Sequence, residues 1–196
     1  MCSSDLFDAS RAYATPSWQV QTLFGRNRAD VILPTAVTAP MMASTETYGG
    51  LIGVGTWLTQ AEYKDIKVTQ GDTVLFEGKK GWKFVSGDWK WDGDVLRQSG
   101  TGTDLRAYVG KKEWKDYTLT LKARKLGGTE GFLVTFAAPD EKGKSWWNIG
   151  GWGNTSHGLE VRGVDAARVP GRIETNRWYD IKVELKADYR KKGLLW

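Results

Sequence analysis

The chain has 196 residues, with 28 Lys and Arg against 23 Asp and Glu, a formal net charge of +5 and a pI near 9.2. The charges are interleaved, as in Lys64-Asp65, Lys115-Asp116, Glu141-Lys142 and Asp180-Ile181-Lys182. A surface that tracks phosphates needs its cations segregated, so this pattern reads as a solvated β-surface and no nucleic-acid partner is expected. One cysteine (Cys2) excludes an internal disulfide, one histidine (His157) argues against zinc, and no cofactor is expected. No apolar run approaches the ~20 residues of a membrane helix, so no membrane partner is expected. The 24 Gly and 11 Trp point to an all-β chain rich in tight turns.

Residues 1–6 have neither the basic nor the apolar region of a signal peptide and are expected to be foreign to the native sequence. Residues 16–24 predict a short helix, with Pro16 in its first turn, Thr15 as N-cap and Gly25 as its stop. Residues 30–34 predict a short strand ended by Pro34, and residues 35–49 are small and polar, as in a linker. From Gly50 the pattern changes to strands. Candidates are 52–57, 61–69, 73–77, 84–85, 89–91 and 95–98, with a turn at Asp92-Gly93.

Residues 117–124 alternate strictly, with Tyr117, Leu119, Leu121 and Ala123 on the buried face. Residues 132–136 are apolar on both faces, which predicts a central strand. Residues 179–185 alternate again. Many short strands without crossover helices predict an antiparallel sandwich or jelly roll. The end of the chain, 188–196, breaks the alternation with four cations and an apolar terminus, and is expected to be a non-native tail.

The densest chemistry lies between Trp146 and Glu160. If Trp146 and Trp147 lie on a strand they face opposite ways, so one of them is expected outside the core on a sheet face or groove. An exposed indole gives a platform for the C–H face of a sugar, and polar groups satisfy its hydroxyl rim. Candidate contacts are Trp146 or Trp147, with Asn148, Trp152, Asn154, His157 and Glu160. The alternative is that the second tryptophan is structural. Arg97 and Arg106 are candidate clamps behind them, or solvated strand residues. Trp89 and Trp91 read as a pair buried between sheets. Asp92-Gly93-Asp94 is a turn before it is a calcium site.

None of the glutamates forms a recognisable catalytic pair. Glu160 near His157 resembles an acid–base arrangement, but a ligand contact or turn hydrogen bond is the better reading.

Two segments carry a family resemblance. Thr15-Pro16-Ser17-Trp18-Gln19-Val20-Gln21-Thr22-Leu23-Phe24, followed by Asn27 to Pro34, resembles the end of the catalytic barrel in α-L-arabinofuranosidases of glycoside hydrolase family 51. Most of 50–186 resembles the concanavalin A-like module of some of these enzymes, mainly through Trp146-Trp147-Asn148-Ile149-Gly150-Gly151-Trp152-Gly153-Asn154. The resemblance implies an incomplete antiparallel jelly-roll sandwich at 50–187. A helix-strand remnant at 1–36 precedes it, then a linker at 37–49. It also implies a secreted or periplasmic parent, and partners in an arabinose- or xylose-containing polysaccharide and the parent's own barrel. The family's catalytic glutamates match nothing here, so no catalytic residue is carried over. Two other roles stay open, a module that only packs on the barrel and a sandwich-type hydrolase. The segment 52–68 usually closes such a domain. Here it is expected as a hairpin filling the place of the last strands in a permuted sandwich.

Overall fold

The computed structural model describes residues 49–186, together with the backbone of three short strands, β1 (Leu6–Asp8), β2 (Arg11–Tyr13) and β3 (Leu33–Ala36). The helix expected at 16–24 and the tail at 188–196 lie outside the described residues.

Thirteen further strands follow: β4 (Leu51–Thr56), β5 (Thr59–Gln70), β6 (Thr73–Glu77), β7 (Lys83–Phe84), β8 (Trp89–Asp92), β9 (Val95–Gln98), β10 (Leu105–Val109), β11 (Thr118–Gly128), β12 (Phe132–Ala138), β13 (Trp146–Gly150), β14 (Ser156–Val161), β15 (Val164–Pro170) and β16 (Trp178–Glu184). The first sheet runs β15-β14-β13-β12-β4-β10-β7; the second runs β3-β16-β11-β5-β9-β8, with β6 paired to β5. All pairings are antiparallel except β3 with β16. The two sheets form an all-β sandwich of the jelly-roll class.

Strand β11 shows why the layers hold. Leu119, Leu121 and Ala123 are buried while Thr118, Thr120 and Lys122 are half-exposed, the alternation a one-sided strand requires. Strand β12 is buried on both faces and sits centrally between β13 and β4. Its Phe132 crosses to the second sheet, meeting Tyr63 edge-on at 6.3 Å and Tyr179 at 6.3 Å. At the β7/β8 edge the gap is closed by rings. Trp89 stacks on Phe84 with 6° between planes and leans on Tyr63, so it bridges the sheets. Trp91 shares its face and meets Trp82.

The expected hairpin at 52–68 is corrected. Strands β4 and β5 belong to different sheets, and the turn at Trp57-Leu58 carries the chain from one layer to the other. Strand β5 is paired with β11, β9 and β6, while β16 lies on the far side of β11.

Candidate functional site

Strand β13 places the tryptophan pair. Trp147 and Ile149 point between the sheets into the core, so Trp146 and Asn148 point out from the other face. Cross-strand register then builds two rows on that outer face. One runs Lys83, Tyr108, Gly53, Thr135, Trp146, Glu160, Asp165; the other runs Arg106, Gly55, Leu133, Asn148, Gly158, Arg168. Gly53 and Gly55 keep the floor low. A Cβ on Gly53 would stand 2.9 Å from the Tyr108 ring, and one on Gly55 would stand 3.3 Å from the Arg106 side chain.

The expected exposed platform is not there. Trp146 is only 4% exposed and Trp147 only 3%, so opposite faces did not make either ring free. Trp146 has another distinction. Asp104 Oδ1 and Arg106 Nε form an ion pair at 2.8 Å, whereas the buried indole N–H of Trp146 has no acceptor among the described residues. An orphaned buried donor costs about 1–3 kcal/mol, so it marks a position where an oxygen is wanted.

Next to it, Asn148 Nδ2 donates to Glu160 Oε1 over a long 3.4 Å. Trp152 comes in above Gly158, whose added Cβ would lie 2.3 Å from the ring. Its backbone is left-handed (φ 52°), in a tight turn with Gly150, Gly153 and Asn154, which all have positive φ. The Arg168 guanidinium lies 3.6 Å from the centre of the Trp152 ring, a cation–π stack. Trp146, Asn148, Trp152, Glu160 and Arg168 therefore form one group.

The other candidates fall elsewhere or are already engaged. Arg106 sits at the far end of the second row, and its Nη1 donates to Tyr108 Oη at 2.7 Å and to the Gly143 carbonyl at 3.2 Å. With Asp104 on its other side, it anchors the loop before β13. Asn154 spends its amide on Ile173, donating to the carbonyl and accepting from the N–H, both at 2.9 Å. His157 lies on the core side of β14, opposite to Glu160, so the structure does not bring these two together. Its Nδ1 accepts the Gly150 N–H at 3.0 Å, and burial pushes its pKa down, which keeps it neutral. Arg97 is in the second sheet altogether.

Arg168 is the residue that sequence reasoning missed. Residues 164–170 carry no clean alternation because a bulge interrupts the pairing of β14 with β15. Once β15 is placed, Arg168 follows from its register opposite Gly158. Among the described residues, no group of three or more His, Cys, Asp or Glu side chains could hold a metal ion, and no helix is long and apolar enough to cross a membrane.

Comparison with known proteins gives one informative relative. The chain is 34% identical over 194 residues to an extracellular exo-α-L-arabinofuranosidase of Streptomyces chartreusis. The similarity is to part of that enzyme. It covers 92% of this chain and 23% of the relative's length. No family model and no solved structure matches.

Proposed function

We propose that residues 49–186 are a non-catalytic carbohydrate-binding module from a secreted or periplasmic arabinofuranosidase of the family 51 type. The module holds arabinose- or xylose-containing polysaccharide close to a catalytic barrel on the same parent chain, raising its effective concentration. The observation that carries this reading is the grouping of the Asn148 amide, the Glu160 carboxylate and the Trp152–Arg168 stack on one outer sheet face. Beneath them lies the buried Trp146 indole N–H, which has no acceptor among the described residues. Such a face offers a sugar apolar area and hydroxyl partners together.

Titration with arabinan and arabinoxylan, followed by tryptophan fluorescence, tests it. Asn148→Ala with Glu160→Ala removes two hydrogen-bonding groups at about 0.5–1.5 kcal/mol each, so binding is expected to weaken about tenfold. A silent wild type, or a double variant that binds as well as wild type, overturns the proposal.

One observation favours a second reading, a module that only packs on its parent. Phe84 and Val85 are each 45% exposed beside the aromatic wall at the β7/β8 edge. Silence towards both polysaccharides would support that role.

A further inference from the structure

The outer face of the second sheet holds a different constellation. Register across five neighbouring strands aligns Lys90, Arg97, Glu62, Arg124 and Trp178 in one row. Neighbouring strands are about 4.8 Å apart, so the row is a stripe across the sheet. Glu62 lies beneath it, 2% exposed. Arg97 donates through Nε and Nη2 to Glu62 Oε1, and Arg124 through the same two groups to Oε2. Both carboxylate oxygens are thereby saturated. The Nη1 edge of each guanidinium is left over, and the two side chains remain 45% and 30% exposed.

Two more cations join the stripe. Lys64 Nζ lies 4.5 Å from the Trp178 ring centre, with the Arg124 guanidinium at 4.7 Å from the same ring. Among the described residues neither Lys64 nor Lys90 has a carboxylate partner. Four cations thus share one buried carboxylate. The flanking cations are neutralised: Lys122 by Asp180 at 3.0 Å, Lys67 by Glu77 at 3.3 Å, and Lys182 by Glu184. These matched flanking pairs leave the stripe itself with an excess of positive charge.

We infer that this stripe is a second binding site, for a polyuronate, an acidic polysaccharide with one carboxylate per sugar ring. The free guanidinium edges suit carboxylates, which Arg binds as a fork. Trp178 offers the apolar surface that a sugar ring, unlike a bare anion, can use. An open sheet face presents no element to enter a duplex groove, which argues against double-stranded nucleic acid. The choice of polymer rests on the secreted, glycan-facing reading above; the charge arrangement does not.

Affinity electrophoresis of the full chain tests it, with polygalacturonate in the gel, neutral arabinan as comparison and double-stranded DNA as competitor. Polygalacturonate is expected to retard the protein at low salt and much less at high salt. Lys64→Gln with Lys90→Gln should weaken that retardation about tenfold, because two charged contacts are lost. The same variant should bind arabinan as wild type does, whereas Asn148→Ala should keep its polygalacturonate retardation. No retardation of wild type, equal retardation of the lysine variant, or displacement by DNA at lower concentration than free polygalacturonate overturns the inference. If arabinan fails to bind while polygalacturonate retards, the first site falls and this one stands.

Discussion

Replacing Gly131 by alanine is expected to unfold the protein. A Cβ there would stand 1.8 Å from the Ile149 carbonyl oxygen, 2.8 Å from its carbon and 3.0 Å from the Gly150 Cα. These are backbone atoms, so no side chain can turn aside. The two strands cannot part either. Phe132, the next residue, pairs with Ile149 and is pinned between Tyr63 and Tyr179. The predicted loss is above about 4 kcal/mol, a size seen only for backbone clash or a severe core defect. Gly153→Ala is the control. It has positive φ (69°) but open space around it, so it should cost only about 1 kcal/mol. Urea denaturation of the two variants decides the matter. A Gly131→Ala protein as stable as wild type would mean that the β12–β13 register is wrong, and with it the placement of Trp146 and Asn148.

Period two made much of this sandwich legible. It located β11 and β12, and it put Trp146 and Trp147 on opposite faces. It could not say how deep the outer face lies, because burial there depends on Tyr108, Thr135 and Glu160 from other strands. Turn chemistry was also ambiguous. Trp57-Leu58 follows a glycine-rich strand and precedes an alternating one, which fits a hairpin and a layer change equally well. Arg97 and Arg106 are close in sequence, yet the chain crosses between sheets after Gln98 and sends them to opposite sides of the molecule.

Charge was the least legible property. Along the chain Lys64-Asp65 and Asp180-Ile181-Lys182 alternate in sign, so nothing marks a basic surface. Sheet pairing sorts them. Lys122 from β11 neutralises Asp180 from β16, while Glu62, Arg97 and Arg124 converge from three strands. A segregated stripe therefore arises from register alone.

Glu62 makes that stripe a stability element as well, and Arg97→Gln with Arg124→Gln is expected to show it. Removing both guanidinium groups leaves a buried carboxylate without its partners, which costs about 3–5 kcal/mol at neutral pH. Either single substitution should cost much less than half of that, because the remaining arginine still holds the charge. The pH dependence separates this from a loss of packing. Burial pushes the Glu62 carboxyl up, but the hydrogen bonds and charges of Arg124 and Arg97 outweigh it, so the group is held below its ordinary value. A depressed folded-state pKa gives wild type a stabilisation that is complete above the unfolded value and is lost as pH falls through the folded one. Without the arginines only the burial effect remains, and the sign reverses. The carboxyl then titrates above its unfolded value, and protonation relieves the penalty as pH falls. The gap between wild type and double variant should therefore narrow steadily on acidification from neutral pH through the carboxylate range. Adding Glu62→Leu to the double variant should recover most of the loss at neutral pH, since a buried ion cluster replaced by apolar side chains is often neutral in stability. A gap independent of pH, or a triple variant no better than the double, would show that the arginines act through packing rather than by compensating the buried charge.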